Sequence, residues 1–299
     1  MQLQKYRSIK YNNIMRPKCV ICNSEKLETY QKNSQQKNIL KCKECNIVFI
    51  DPTEVSSSNS RYKDGSFWSD DPYNIKKMIQ SDFTYNERAL NYKSMYSYCR
   101  KFLASGKNIL EIGAGSGVGL IMFEKIGFTV TGIEPDSENA RLLNDKLING
   151  KCFAGNFEDI KFTEKFDIIW MYHVTEHIPE PNKLLKYCYE NLTDNGILII
   201  AVPDCGNPES MIDSISNHDH IFHFSKHSLE ILARNSGFKI EKCDSVSPIK
   251  GLNKQRLNRF LKKGNLSFLN KKMWPYYPFQ ITDKNDGYEI RIILRKPHT

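Results

Sequence analysis

The pattern of apolar residues changes after about residue 104. From there to the C-terminal end, short apolar runs typical of buried strands alternate with segments that carry helix signals. The predicted strands are residues 107–112, 128–133, 151–154, 166–172, 196–202, 238–245 and 287–295. The predicted helices are residues 116–126, 136–148, 181–192 and 226–236. This alternation predicts an α/β, Rossmann-like domain with a mostly parallel sheet covered by helices on both faces.

The chain divides into three predicted regions. Residues 1–50 hold four cysteines in two pairs, and residues 51–104 combine a linker rich in Ser, Asp and Pro with a helical cap. Residues 105–299 form the α/β domain. Its last two strands are separated by an insertion at 246–286 instead of a regular helix.

The four N-terminal cysteines predict a metal site. Two CxxC pairs are separated by nineteen residues, and each CxxC turn directs two sulfurs at one point, so that two turns complete a tetrahedral zinc shell. We therefore predict a small zinc ribbon with a structural zinc held by Cys19, Cys22, Cys42 and Cys45. A closed four-cysteine shell leaves no open position for catalysis. A redox pair or unmetallated cysteines are the alternatives.

Composition limits the class of protein. The 299 residues, 40% of them hydrophobic, suffice for one sizeable core and a small appended module. No apolar run approaches the roughly 20 residues needed to cross a bilayer, and the first residues lack the apolar centre of a secretory signal. We expect a cytoplasmic protein without a transmembrane segment, and the sequence does not indicate its oligomeric state.

The net charge of +9 is unevenly placed. Residues 246–299 hold twelve Lys or Arg and three Asp or Glu, so the rest of the chain is neutral overall. Between Lys250 and Lys272 there are eight basic residues and no acidic one. This basic segment predicts a local surface for an anionic small molecule or, as alternatives, a solvated helix or a peripheral contact with an acidic membrane.

A glycine-rich turn follows the first strand of the α/β domain. The turn contains Gly113, Gly115 and Gly117, between an apolar strand and a helix, where backbone must approach a ligand closely. Glu134 ends the second strand, where a carboxylate can accept hydrogen bonds from two ribose hydroxyls. Glu111 precedes the turn by two residues, which is unfavourable beside phosphate and suits a cationic ligand. The residues therefore favour an aminoacyl sulfonium nucleoside.

The segments around the glycine turn and Glu134 resemble motifs of a known enzyme superfamily. Glu111-Ile-Gly-Ala-Gly-Ser-Gly117, then Gly-Ile-Glu134-Pro135, resembles motif I and the following acidic loop of class I S-adenosylmethionine-dependent methyltransferases. Two later segments, 166–181 and 192–203, resemble the fourth and fifth strand motifs of that superfamily. The resemblance implies the methyltransferase fold, with seven strands and the last one antiparallel. It also implies cofactor contacts from Pro135, Asn156, Phe157 and His173.

Histidines are the candidate catalytic residues. Methyl transfer to an alcohol benefits from a base, and histidine is suited to that role near neutral pH. His177 follows the fourth strand and His220 lies after the fifth, with Asp219 beside it to orient the ring. The string His173-Val-Thr-Glu-His177 also matches the HxxEH motif of inverted zinc peptidases. Two nearby prolines argue against the continuous helix that such a metal site needs.

The whole arrangement resembles zinc-ribbon methyltransferases of sugar and surface-glycan pathways. In sugar C-methyltransferases of that group the motif is Tyr-x-Glu-His, whereas this chain has Asn217 and Asp219 before His220. We therefore expect O-methylation of a sugar, nucleotide sugar or related phosphorylated small molecule, with no nucleic acid as partner. The alternatives are an RNA methyltransferase and a non-catalytic protein that keeps the cofactor fold.

Overall fold

The computed structural model describes residues 17–55, 87–103, 106–217, 219–247, 279–282 and 287–298. Most of the linker, the first half of the predicted cap helix, His218 and the basic segment 250–272 lie outside these residues. Within them, the chain forms two sheets and six α-helices.

The strands are numbered in chain order. They are β1 (Leu27–Lys32), β2 (Asn38–Cys42), β3 (Val48–Ile50), β4 (Asn108–Ile112), β5 (Thr129–Glu134), β6 (Lys151–Ala154), β7 (Phe166–Tyr172), β8 (Leu192–Pro203), β9 (Phe222–His223), β10 (Lys239–Ser247), β11 (Gln280–Thr282) and β12 (Glu289–Arg295). The helices are α1 (Glu87–Cys99), α2 (Val118–Lys125), α3 (Ser137–Asn144), α4 (Pro181–Asn191), α5 (Pro208–Ser216) and α6 (Lys226–Asn235). Short 3-10 turns form at Pro52–Glu54, Arg100–Phe102 and Thr175–His177.

The large sheet has the predicted topology. Its strand order is β11-β10-β12-β8-β7-β4-β5-β6. The five strands from β8 to β6 are parallel, and β12 runs antiparallel between β8 and β10. The predicted fold class is confirmed. The three-residue strand β11 adds an eighth member at the edge, which the sequence did not predict.

The central strands are apolar on both faces because helices cover the sheet on both sides. On β7, Ile168 and Trp170 pack in one core cluster, whereas Ile169 and Met171 pack in the other. All four side chains are fully buried. This alternation of successive side chains is the two-residue period of a strand, and it explains why the segment is a continuous apolar run.

The small sheet joins the N-terminal module to the α/β domain. Its order is β1-β2-β3-β9, with all pairs antiparallel. Val48 lies opposite His223 and Phe49 opposite Phe222, so the segment after β8 completes the sheet of the cysteine module. The pairing covers the edge of β3, which would otherwise present unpaired backbone groups. The boundary predicted at residue 50 is therefore bridged by main-chain hydrogen bonds.

The module also docks on two helices through its first cysteine turn. The Asn182 side chain on α4 donates to the Val20 carbonyl at 2.5 Å, and Asn235 at the end of α6 donates to the Ile21 carbonyl at 3.1 Å. Both carbonyls belong to the Cys19–Cys22 turn. The cysteine module thus packs as a part of the main body of the protein.

Candidate functional site

The glycine-rich turn has the backbone that its sequence predicts. Gly113, Gly115 and Gly117 have φ of +74°, +53° and +70°, all in the left-handed region. A Cβ on Gly113 would lie 2.5 Å from a methyl carbon of Val174, so the turn also contacts the segment after β7 too closely for a side chain. The amides of Gly113 and Ala114 donate to the Ile133 carbonyl, which fixes the turn against β5.

Glu134 lies beside this turn. Its side chain is 2% exposed, and its two carboxylate oxygens accept from the amides of Gly115 at 2.7 Å and Asp136 at 3.1 Å. The carboxylate is therefore held next to the backbone that a nucleoside would approach. The three glycines leave room for a ligand close to the backbone, and the adjacent carboxylate can accept hydrogen bonds. Together they fit the ribose of S-adenosylmethionine.

Glu111 lies beneath the turn, in the core. It is fully buried, accepts a hydrogen bond from the Tyr92 hydroxyl of α1 at 2.5 Å, and lies against Gly119 of α2. Burial raises the pKa of Glu111 to about 8, against an ordinary value of 4.5. A direct contact of Glu111 with the cofactor stays a prediction.

The other predicted cofactor residues differ in exposure. Pro135 and Asn156 are half-buried at the ends of β5 and β6. Phe157 is 6% exposed and packs edge-on against Tyr187, with ring centroids 5.4 Å apart. Contacts of these three residues with the cofactor stay predictions.

His173 follows β7 in a strained backbone conformation, with φ of +55°. Its Nδ1 lies 3.3 Å from Glu176 Oε1 and its Nε2 lies 3.1 Å from Glu289 Oε2. Burial lowers the pKa of His173, but the two carboxylates outweigh it and raise the pKa to about 9. His173 is therefore a charged imidazolium at neutral pH, and its contact with the cofactor stays a prediction.

Glu289 belongs to a buried network that sequence reasoning missed. It accepts from the Tyr172 hydroxyl at 2.8 Å and from Arg291 Nε at 2.6 Å. Burial raises its pKa, but the charges of Arg291 and His173 lower it to about 2. The available signal was two opposite charges, at 289 and 291, at the start of a strand whose next three residues are apolar.

His177 and His220 come together across the chain. Their ring centroids lie 4.9 Å apart. His177 Nδ1 donates to the Asp219 carbonyl at 2.9 Å, since a carbonyl can only accept. His220 Nδ1 lies 2.9 Å from Ser214 Oγ, and its Nε2 accepts from the Asn217 side chain at 3.1 Å. Ser214 and Asn217 contact the His220 ring, and the Asp219 carbonyl contacts His177. An orienting role of the Asp219 carboxylate for His220 stays a prediction.

The surroundings of this pair are buried. Burial and the neighbouring His177 lower the pKa of His220 to about 4, so His220 is neutral near pH 7. Glu176 is 1% exposed, and its Oε1 lies 3.9 Å from His177 Nε2. His223 is buried in β9, with Nδ1 2.8 Å from Ser214 Oγ. Two imidazoles and one carboxylate therefore converge next to the His173 network.

The backbone links this cluster to the cysteine module. The Ile50 amide donates to the Ile221 carbonyl at 3.0 Å, and the Ile221 amide donates to the Glu176 carbonyl at 2.8 Å. Ile221 thus bridges β3 and the turn that carries Glu176 and His177.

The four cysteines predicted as ligands form one cluster. Cys19 and Cys45 have sulfurs 3.5 Å apart, and Cys22 and Cys42 have sulfurs 3.6 Å apart. All four sulfurs lie within 4.8 Å of one another, and none forms a disulfide. Zinc bonded to four thiolates at about 2.3 Å would hold the sulfurs about 3.8 Å apart. The cluster therefore has the dimensions of a tetrahedral zinc site.

Comparison with known proteins decides the family. The profile of a methyltransferase domain matches residues 85–242. The chain belongs to this methyltransferase domain family. The glycine turn and Glu134 both lie within the matched residues. No helix in the described part of the chain combines the length and apolar character needed to span a bilayer.

Curated relatives cover part of the methyltransferase. Ubiquinone biosynthesis O-methyltransferases of Rhodopseudomonas palustris (strain HaA2) and Bradyrhizobium diazoefficiens are 32% and 31% identical over 117 residues. These matches cover 34% of this methyltransferase and 46% of each relative, so the chain spans about half the length of the curated relatives it matches.

Solved structures share the fold. The plantazolicin methyltransferase BpumL in complex with SAH has a TM-score of 0.52 and 15% identity, over 80% of this methyltransferase and 96% of BpumL. A possible histamine N-methyltransferase from Thermotoga maritima has a TM-score of 0.50 and 18% identity, over 74% and 99% of the two chains. At these identities the likeness concerns the fold alone.

The first prediction concerns Glu134. Glu134→Ala should weaken S-adenosylmethionine binding by about 1–3 kcal/mol, because the ribose hydroxyls lose a charged acceptor and the Gly115 amide loses its partner. Gly115→Val should weaken binding further, since valine does not adopt the left-handed conformation. Calorimetric titration measures both effects, with the exposed Glu138→Ala of α3 as control. Wild-type affinity in both variants would contradict the assignment.

The second prediction concerns Glu111 and pH. A carboxyl whose pKa is higher in the folded than in the unfolded protein favours folding at low pH, and this contribution is lost as pH rises from 4.5 towards about 8. Between about pH 6 and about pH 7.5, the wild-type unfolding free energy should fall by about 2 kcal/mol relative to Glu111→Gln. Urea unfolding of both apoproteins measures the difference. A pH-independent difference would show that Glu111 does not titrate in this range.

Proposed function

We propose that this methyltransferase transfers a methyl group to a hydroxyl oxygen of a small-molecule acceptor beside His177 and His220. The observation that carries the proposal is the convergence of these two rings and Glu176 on a segment that contacts the glycine turn. Val174, within this segment, packs against Gly113. The acceptor oxygen would therefore meet the histidines and the reactive end of the cofactor together.

The chemistry requires alignment and removal of a proton. Bound S-adenosylmethionine supplies an electrophilic methyl group. As the acceptor oxygen forms its bond to the methyl carbon, the sulfur–carbon bond breaks and the hydroxyl proton must leave. The protein aligns the acceptor, provides a proton acceptor and excludes water.

The hydrogen bonds suggest different roles for the three histidines. His173 is charged at neutral pH and cannot accept a proton, so it would position groups. His177 donates its Nδ1 proton to the Asp219 carbonyl, which turns Nε2 towards Glu176. His220 is neutral, and its Nε2 could accept the hydroxyl proton once the Asn217 amide turns away. We assign the proton-accepting role to His220 and the positioning role to His177, with Asp219 supporting His177.

Three observations support the proposed acceptor class. Relatives that match part of the chain are named O-methyltransferases, which favours oxygen as the acceptor atom. Asn217 stands where the similar sugar C-methyltransferases have a tyrosine, and it contacts His220 directly. The basic segment 250–272 favours an anionic acceptor, which we propose to be a phosphorylated or nucleotide-linked sugar.

The third prediction tests His220. His220→Ala should lower kcat by about 10²- to 10⁴-fold and leave S-adenosylmethionine affinity near the wild-type value, because the ring serves the acceptor. A screen of nucleotide sugars for a mass gain of one methyl group identifies an acceptor, on which steady-state rates are then measured. The exposed His227→Ala of α6 is the control. A His220→Ala enzyme with nearly wild-type kcat would refute the role.

We further propose that the cysteine cluster holds one structural zinc ion. The support is the size of the cluster and the burial of three of its four cysteines. The adjacent β3 pairs with β9, which follows His220 in the chain. By stabilising β3, zinc would also stabilise β9. Its role would be structural, since four thiolates complete the shell.

The fourth prediction tests this zinc. Cys42→Ser should lower the zinc content well below one per chain and lower Tm by at least about 5 °C, because the metal contributes folding free energy. Elemental analysis and thermal unfolding measure these effects. Cys99→Ser, at a buried cysteine of α1 outside the cluster, should keep its zinc. Zinc-free wild-type protein with an unchanged Tm after Cys42→Ser would overturn the proposal.

A further inference from the structure

We propose that Glu176, His177 and His220 form a binding site for one divalent transition-metal cation, separate from the cysteine cluster. The three side chains come from two segments, the 3-10 turn after β7 and the loop before β9. One ligand atom from each residue lies within 4.8 Å of the other two. The site needs no residue outside the described part of the chain.

The distances fit a common cation after a small contraction. Metal–nitrogen and metal–oxygen bonds of about 2.1 Å place neighbouring ligand atoms about 3.0 Å apart and opposite ones about 4.2 Å apart. Glu176 Oε1 and His177 Nε2 are 3.9 Å apart. The ligand atoms of all three residues lie within 4.8 Å of one another, so the side chains must move closer together for all three to bind one cation.

Glu176 supplies the strongest evidence. Its side chain is 1% exposed, and among the described residues neither carboxylate oxygen accepts a hydrogen bond with acceptable geometry. A buried carboxylate with an oxygen that has no donor carries a desolvation cost, which a cation at the carboxylate would offset. His173 Nδ1 approaches Oε1 at 3.3 Å as an ion pair, and the second oxygen still has no donor.

Both imidazoles are oriented as metal ligands usually are. A ligating histidine typically gives its other ring nitrogen to a carbonyl or hydroxyl, which fixes the ring and the tautomer. His177 Nδ1 is bonded to the Asp219 carbonyl, and His220 Nδ1 to Ser214 Oγ. In each ring the coordinating atom is then Nε2. The amide of Asn217, 3.1 Å from His220 Nε2, would turn aside when a cation binds.

The ligand set indicates the kind of cation. Two imidazoles with one carboxylate suit Zn²⁺, Co²⁺, Fe²⁺ or Mn²⁺, whereas Mg²⁺ and Ca²⁺ prefer oxygen ligands throughout. Three protein ligands leave at least one position open. The proposed function uses His220 Nε2 to accept the hydroxyl proton, and a cation bound to that atom would exclude this role. Cation binding and proton acceptance are therefore alternative states of the site.

The competing explanation is that His173 alone balances the charge of Glu176. In that case the cluster needs no cation and serves only hydrogen bonding and proton transfer. The two explanations differ in metal binding, which can be measured without acceptor or cofactor. A failure to find O-methylation would therefore leave this result unaffected.

The experiment titrates Co²⁺ into full-length protein that carries zinc in its cysteine cluster. We expect one additional Co²⁺ per chain, with weak visible bands and without the intense thiolate charge-transfer absorption that exchange into the cysteines would produce. Glu176→Gln and His177→Gln should weaken this binding at least about 10-fold. His227→Gln, the same substitution at an exposed histidine, should bind as the wild type does.

Two results would overturn the proposal. One is the absence of Co²⁺ binding outside the cysteine cluster, and the other is unchanged affinity in Glu176→Gln; either would favour charge balance by His173. Circular dichroism and S-adenosylmethionine affinity verify that each variant is folded. His220→Gln gives a second ligand variant if Glu176→Gln does not fold.

Discussion

The site depends on the two hydrogen bonds of Ile221. Its carbonyl accepts from Ile50 at the end of the cysteine module, and its amide donates to the carbonyl of Glu176. Through this one residue the position of β3 fixes both the loop that carries His220 and the turn that carries His177. The contact between the two rings therefore follows from strand pairing, because neither segment is a long regular element. A module that looks like an appendage in the sequence is therefore hydrogen-bonded to a segment of the candidate site.

Buried charge is the second constraint. His173 lies between Glu176 and Glu289, and Arg291 neutralises Glu289 from the same strand. In a medium of low dielectric, each carboxylate must be compensated or lose its charge. His173 has a strained backbone, with φ of +55°, and its ring lies between the two carboxylates. The ion pairs with both carboxylates help to offset this strain. Arg291 compensates one carboxylate fully, whereas the Glu176 oxygens retain unmet hydrogen-bonding capacity.

Local patterns predicted much of the fold, and they drew attention to the glycine turn and the paired cysteines. The strands of the large sheet and the helices that cover it were recognisable from their apolar patterns. The turn at Gly113–Gly117 and the paired cysteines were recognisable from the spacing of their residues.

Contacts between residues far apart in the sequence were not recognisable. The pairing of β3 with β9 and the contact of Glu289 with His173 join residues far apart in sequence. Asp219 illustrates the limit, because the hydrogen bond from His177 to the Asp219 carbonyl has no signal in the sequence. Helix breakers correctly excluded a helical HxxEH site, yet Glu176 and His177 of that string meet a histidine from another loop.

The residues assigned to the cofactor and the histidines assigned to the acceptor share one domain, whereas some groups that contact them lie outside it. Every predicted cofactor residue lies within the matched methyltransferase domain, residues 85–242. The cysteines precede that domain, and Glu289 and Arg291 follow it. Both outside parts nevertheless reach the same cluster, one through β3 and the other through His173. Since Glu111, Glu134 and the glycine turn meet requirements common to any acceptor, selectivity must come from groups that surround the acceptor. On the proposed function, elements outside the matched domain would contribute to this selectivity, because Glu289 contacts His173 and β3 pairs with the strand after His220.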